Sequence, residues 1–431
     1  VPNIDTSTAS LCLKHFYLPV FVVNVYESSA LFHRCEKTAR YCYGDYAIIG
    51  RQTSRNMGSG PVGTEGGEFP VPGSIGFKQP TVYMKLQGST MRISWTAMMV
   101  SKDKRGAYVP LLTHAMKDME ASMKWELARQ WWGNGSGILA YLMSADTDKT
   151  DLAVDDGQTN QPDGDGSYRH FLRPGMRVNH YDLSLNDESG AVKTVQENTT
   201  GHTVTLDADL GGTPADGHTL RRESSVGGDP ITAYYDCMGM DGIVSADDPV
   251  TGDFQGNDRD TSPWNRAIVH NNPAGAGTLR PIGFEVIERM VNTLEVNGAN
   301  VTAGYIGYPL KQALVEDALR ARRYSDKVTI VDGYKAYDYE GLPLFVDMYM
   351  VRNAAFIGDE STIKVHHVAP LGFFEINGDV FGQVGGDYAR TSLLEANMIY
   401  LCNLACDDPS KWGRINDLEE PYRDAVTEHV G

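Results

Sequence analysis

The chain has 431 residues, 41% of them hydrophobic and 22% charged, with 45 Gly and 20 Pro. That leaves room for two or three domains and excludes a disordered polymer. A compact chain of this length buries about three-quarters of its unfolded surface, so the core needs no disulfide or metal staple. The formal net charge is -18, from 38 Lys and Arg against 56 Asp and Glu, and it is regional. Between Ser144 and Asp260 there are 23 acidic and 8 basic residues, a net of -15 that leaves only -3 for the rest. No dense basic run is present to displace counterions from phosphates, Arg320, Arg322 and Arg323 being the nearest to one. The composition therefore argues against tight, direct DNA binding, and the acidic block reads as a solubilising surface.

The six cysteines (Cys12, Cys35, Cys42, Cys237, Cys402 and Cys406) are too few and too scattered for a disulfide scaffold and read as reduced thiols. Cys12 with His15, His33 with Cys35, and Cys402 with Cys406 could each offer two ligands, but no second pair completes a zinc site, so no metal and no cofactor is expected. The apolar run Phe16 to Val25 is interrupted by Pro19 and Asn24, too short a stretch to span a membrane. No basic start and small-residue cleavage pattern marks a signal peptide. A start at Val1 fits either Met removal or proteolytic loss of a leader.

In chain order, residues 1–50 read as an arm. Leu18, Phe21, Val22, Val25, Ser29 and Phe32 follow helical spacing, and an aromatic extended stretch runs from Tyr41 to Ile49. From Arg51 to Pro80, seven glycines alternate with Pro61, Pro70, Pro72 and Pro80, which excludes a regular core element. Its flanks are strand-like: Tyr46 to Ile49 before it, then Thr81 to Leu86 and Met91 to Trp95 after it, the last two expected to be joined by a turn at Gly88. A loop of about thirty residues between strands is uncommon unless it is functional or disordered. Phe69, Val71, Ile75 and Phe77 are apolar residues on it without a local partner, which makes them candidate contacts to another subunit.

From Val109 to Trp132, Leu112, Ala115, Met116, Met119, Met123, Leu127 and Trp131 recur at steps of three and four before Gly133 and Gly135, predicting one long amphipathic helix. At 1.5 Å per residue it spans about 35 Å. Residues 144–270 carry short alternating strands (Met176 to Tyr181, Ala191 to Gln196, His202 to Leu206, Thr219 to Arg222) with frequent Gly-Asp turns, predicting a small antiparallel barrel or sandwich inserted in the main architecture. Asp163 to Gly166 resembles a calcium loop but lacks its Glu at the twelfth position, so it reads as a turn.

Beyond Pro281, placed at a helix's first turn, Phe284, Ile287, Val291 and Leu294 define a second helix. The strand Ala303 to Ile306 and a third helix, Leu310 to Ala321, follow. Strands are expected at Lys327 to Val331, Leu342 to Asp347, Ala354 to Ile357 and Thr362 to His367, with a long extended run from Leu393 to Leu404. The last twenty residues read as polar and exposed.

No phosphate loop, dinucleotide fingerprint, GxSxG elbow or HExxH occurs. His366 and His367 are neighbours on a strand and point to opposite faces. The carboxylates Asp332, Asp338, Glu340 and Asp347 lie where charged turn residues are expected anyway. No catalytic residue is assigned and no enzyme activity is expected.

The order of elements resembles the major capsid proteins of tailed bacteriophages, the Hong Kong ninety-seven type of coat fold: an arm with a helix, a long Gly/Pro hairpin loop, one long amphipathic helix and a mixed α/β C-terminal half. The run YDYEGLPLFVD at Tyr337 to Asp347, followed by AAFIGDESTIKVHH at Ala354 to His367, resembles a recurrent segment of that family. The resemblance implies an α+β phage coat fold. Its parts would be an N-terminal arm (1–50), an extended loop (51–96) and a peripheral domain with the spine helix (97–143 and 390–412). An acidic β-rich insertion (144–270), an axial domain (271–389) and a C-terminal tail (413–431) would complete it. It also implies hexamers and pentamers of identical subunits closing an icosahedral shell around double-stranded phage DNA, in a virion assembled in the bacterial host cytoplasm. Scaffold, portal and decoration proteins would be its partners, with no membrane involved. Some relatives cross-link a loop Lys to a neighbour's Asn; by position only, Lys78 and Lys85 would be candidates. The alternatives are an encapsulin-like compartment, which shares the fold but is usually shorter, and a carbohydrate-active enzyme or binding module using the acidic region.

Overall fold

The structure is a computed structural model that describes residues 29–63, 65, 67–94, 96, 111–142, 150–155, 171–183, 192–198, 203–210, 214–222, 234–249, 251–275, 278–320, 328–331, 334–339, 341–350, 353–375, 379–383 and 393–420. Helices are labelled α1 (Ala30–Arg34), α2 (Leu111–Gln130), α3 (Met240–Ile243), α4 (Phe284–Val296) and α5 (Tyr308–Arg320). Most of the helical spacing expected in the arm, Cys12, the Asp163 to Gly166 turn, Asp332, Glu340 and the start of the long helix before Leu111 lie outside the described residues.

The long helix forms because Met116, Met119, Met123 and Leu127 make one continuous buried stripe. That stripe packs on a five-stranded sheet in which Leu393–Cys406 pairs with Lys85–Ser94, Ile363–Phe373 and Phe381–Gln383, and Glu36–Thr38 adds in parallel to Ile363–Phe373. The sheet supplies Met91, Ile93, Ala396, Met398 and Tyr400 to the same core. After α2, Trp131 stacks on Phe32 of α1 (centroids 4.7 Å apart), and Trp132 stacks on Phe356 and meets Tyr305 edge-on. Two consecutive tryptophans thus join the arm, the long helix and the C-terminal half in one apolar cluster. Gly239 closes the joint: a Cβ there would lie 2.3 Å from the Gln130 carbonyl oxygen, so the chain approaches the helix end more closely than any side chain permits.

The C-terminal half is a seven-stranded mixed sheet in the order Ile268–His270, Trp412–Ile415, Ala355–Gly358, Ala303–Ile306, Leu342–Val346, Tyr334–Tyr339, Val328–Val331. Helices α4 and α5 cover one face through Ile287, Met290, Leu294, Leu310 and Leu314. The other face gives Tyr305, Phe345, Phe356 and Trp412 to the central cluster. Strands buried on both faces read as unbroken apolar runs, as Ala303–Ile306 does.

Ile138–Leu142, Asp151–Asp155, Arg177–Tyr181, Lys193–Asn198, Thr203–Leu206 and Thr219–Arg222 close into a six-stranded barrel with its own core, including Val154, Val178, Val204 and Leu220. The insertion is therefore a barrel and not a sandwich. Its first strand begins before residue 144, and residues 237–267 leave it: Cys237, Met240, Ile243, Val244, Phe254 and Ala267 belong to the central cluster.

Three further expectations are corrected. Gly88 makes no turn; it pairs with Ile399 in the middle of the ten-residue strand Lys85–Ser94, whose ladder continues on both sides. The last twenty residues do not begin as an exposed tail: Trp412–Ile415 is an interior strand of the seven-stranded sheet, and Trp412, Ile415 and Leu418 are fully buried. Pro281 lies outside α4, whose N-cap is Gly283.

Candidate assembly interface

Between Ile48 and Thr81 the chain leaves the body as one antiparallel hairpin. Ile48 pairs with Thr81, Arg51 with Lys78, Gln52 with Phe77 and Ser54 with Gly76. Farther out, Pro70 and Pro72 have no N–H, so a backbone ladder cannot continue. Side chains take its place. The Gly76 N–H donates to Ser54 Oγ (2.6 Å), and Ser54 Oγ donates to the Ser74 carbonyl (3.2 Å). Asn56 Oδ1 accepts from Gly58 N (2.9 Å) on its own arm and Gly73 N (2.8 Å) on the opposite one. Glycine lets the arms touch: a Cβ on Gly58 would lie 2.6 Å from the Pro72 Cα, and one on Gly60 would lie 3.3 Å from Pro70 Cγ. The pairing slips by one residue between Gln52 and Ser54, and the slipped register then holds from Ser54/Gly76 out to Gly60/Pro70. At about 3.3 Å per residue, that carries the tip about 40 Å from its base.

The four loop residues singled out from sequence sit on this projection and face solvent: Phe69 is 83% exposed, Val71 88%, Ile75 52% and Phe77 70%. Met57 is also exposed. Covering one such side chain is worth roughly 2 kcal/mol, so the hairpin carries several kcal/mol of apolar surface that its own body leaves in water.

The base is fixed firmly. Cys42–Tyr43, Tyr46–Ile48 and Thr81–Tyr83 form a three-stranded sheet whose inner face packs Ala47, Val82, Ile49 and Met84 against Ala405. The Arg51 guanidinium lies over the Trp264 ring and pairs with Asp408. Lys85, one of the two Lys considered for cross-linking, donates to the Tyr234 carbonyl (2.5 Å), and burial lowers its pKa. The other, Lys78, is exposed on the hairpin stem. Gln87 Nε2 donates to the Tyr235 carbonyl, and Gln87 Oε1 accepts from Gln130 of α2.

Beside that contact is a buried ionic knot absent from the sequence reading. Arg129 donates to Glu126 and to Asp236 (2.5 Å each), while Arg222 of the barrel donates to the second Glu126 oxygen (2.6 Å). Burial alone would push the Glu126 carboxyl up, but Arg129 and Arg222, with hydrogen bonds from Arg129 and Gln130, outweigh it and hold the group at about 2. Asp236 is raised, because its burial outweighs the attraction of Arg129. The knot ties long helix, barrel and the 234–237 segment together.

Of the four carboxylates considered for catalysis, Asp347 alone has a described side chain. It is buried, accepts from Ser29 Oγ (2.8 Å) and Tyr349 N (2.9 Å), and is raised by burial. It anchors the arm. His366 is buried and His367 half-buried, and burial lowers both pKa values. Among the described residues no group of three or more His, Cys, Asp or Glu is placed to hold a metal, and the five described cysteines are free thiols. No helix among them is long and apolar enough to cross a membrane.

No protein-family model and no curated protein matches the sequence. Among solved structures, a chain of the cyanophage A-1(L) capsid asymmetric unit superposes with a TM-score of 0.53 at 10% identity, covering 89% of this chain and 90% of its own. This chain has a phage coat fold. Microbacterium phage Oxtober96 (TM-score 0.43, 9% identity, 90% of each chain) and the holo-SrpI encapsulin complex from Synechococcus elongatus PCC 7942 (0.42, 6%, 92% of this chain and 90% of that one) are also similar. At those scores neither adds to the assignment. The superposition shows the fold alone, because at 10% identity it carries nothing about function.

Proposed function

We propose that this chain is the major coat protein of a tailed phage. Its copies assemble as hexamers and pentamers into an icosahedral shell around double-stranded DNA, in the cytoplasm of the bacterial host. The observation that carries this reading is the self-braced hairpin, which holds Phe69, Val71, Ile75 and Phe77 in solvent far from its own body. A side-chain-braced arm of this kind completes its burial only against another molecule, and repetition over a closed lattice multiplies each modest contact. The role is mechanical and not catalytic.

The charge supports it as well. A net of -18 does not condense on packaged DNA, so the container confines the genome without trapping it. Scaffold, portal and decoration proteins would be the other partners, and the barrel is the part available for an outward-facing role. The test is recombinant expression of the full chain, alone and with a scaffold protein, followed by negative-stain imaging. Uniform closed shells are expected; a chain that stays monomeric in both settings rejects the proposal.

A further inference from the structure

The hairpin's base carries a second unpaired surface. In the three-stranded sheet Tyr43 is directly opposite Tyr46, and Tyr46 directly opposite Tyr83. Directly opposed residues share a face, so the three rings form a ladder on the side away from Ala47 and Val82. Tyr43 is 57% exposed and Tyr83 60%, while Tyr46 meets Tyr83 edge-on at 6.3 Å. Tyr41, two residues before Tyr43, is also exposed and is held at φ 62, a left-handed conformation that disfavours a bulky residue. The ladder ends at a cavity of about 230 Å³ that Tyr83 lines together with Lys85, Asp236, Phe254 and Gln255. Both amide atoms of Gln255 are buried there without a hydrogen-bond partner.

We infer that this tyrosine ladder is the landing site for the Phe69–Pro72 segment of a second copy of the chain. The inference rests on the coat reading and names the surface that the hairpin meets. Three features of the structure point to that occupant. Proline-rich segments in the polyproline II form dock on aromatic-lined surfaces. At about 3.1 Å per residue, Phe69 and Pro72 would be about 9 Å apart in that form, and two interstrand gaps place Tyr43 and Tyr83 about 9.6 Å apart. Charge matches too: Glu68 precedes Phe69, and exposed Arg40 precedes Tyr41.

Geometry excludes the same chain as occupant. The Asn56 bridge and the close contacts at Gly58 and Gly60 hold Phe69–Pro72 along the far half of the hairpin, about 40 Å from its own tyrosines by the strand rise.

The test uses full-length chains. Val71→Cys and Tyr83→Cys variants are mixed in oxidised glutathione, whose disulfide is reduced to two thiols as the new interchain disulfide forms, and are read on non-reducing gels. At least a tenfold excess of dimer over either variant alone is expected. In parallel, the Tyr43→Ser/Tyr83→Ser variant should fold with an unchanged melting temperature and lose at least tenfold in particle yield, whereas the Tyr43→Phe/Tyr83→Phe variant keeps it. No excess dimer in the mixture, or undiminished particles from the Ser variant, overturns the ladder assignment. Particle formation by the unsubstituted chain, scored separately, decides whether the coat reading falls with it.

Discussion

Arg129→Met cuts the centre of the buried knot and isolates what that charge contributes. In the folded chain Arg129 is 5% exposed and holds two carboxylates at once. Removing it leaves Glu126 with Arg222 but strips Asp236 of the guanidinium that opposes its burial. Breaking a buried ion pair from one side costs about 3–5 kcal/mol, and that is the loss expected at pH 7. The two acids set the pH dependence with opposite signs. Glu126 sits at about 2 against an ordinary 4.5. It therefore contributes about 3 kcal/mol that is present above its unfolded value and lost as pH falls toward 2. Asp236 is raised in the folded chain, so its ionisation opposes folding as pH rises through its folded value. Without Arg129 both carboxyls bind protons more readily, and the deficit should shrink to about 1–2 kcal/mol at pH 4.5, where protonation relieves the stranded charge. Urea unfolding followed by the fluorescence of buried Trp131 and Trp132, at pH 7 and 4.5, measures both numbers. A loss below about 1 kcal/mol at pH 7, or one that does not change with pH, refutes the electrostatic role assigned to the knot.

Leu127→Ala empties a fully buried site between the long helix and the sheet and should cost about 2–5 kcal/mol, read as a drop in thermal midpoint; an unchanged midpoint contradicts the packing described. Gly358→Ala would set a Cβ 2.5 Å from the Trp412 ring and 2.9 Å from the Lys411 carbonyl, so a loss of about 1–3 kcal/mol is expected in the same scan. Asn56→Ala removes the bridge between the hairpin arms but touches nothing in the body. Limited proteolysis should cut faster within residues 55–75 while the melting temperature holds; equal cutting rates would show that the bridge does not brace the hairpin.

Much of the body was legible because its elements repeat at the period of their geometry. The stripe Met116, Met119, Met123 and Leu127 can be satisfied only by a helix against a core, and the runs at Ala303–Ile306 and Leu342–Val346 fit buried strands. Alternation in the acidic region identified strands but could not separate barrel from sandwich, since both bury every second residue. Trp412–Ile415 was missed because four residues containing a glycine show no periodicity; Gly413 is there because a Cβ would lie 2.2 Å from the Met290 sulfur. Gly88 was misread because glycine signals a turn in sequence, whereas here a ten-residue ladder overrides it. At the candidate interface, Phe69, Val71, Ile75 and Phe77 stood out as apolar residues without partners. The bracing of the hairpin did not, because it depends on the Ser54 and Asn56 side chains and two glycine contacts instead of an alternating pattern. The knot was hidden for a similar reason: Glu126 and Arg129, three apart on a helix, look like an ordinary surface pair until Asp236 and Arg222 are placed beside them.

The most direct measurement is sedimentation velocity on the full chain and on a chain lacking Met57–Gly76, each at high concentration under conditions that support assembly. The full chain should run as closed particles, and the shortened chain as a folded, slowly sedimenting subunit with an unchanged circular dichroism spectrum. Particles of normal size from the shortened chain would contradict the claim that this projection joins one copy to the next.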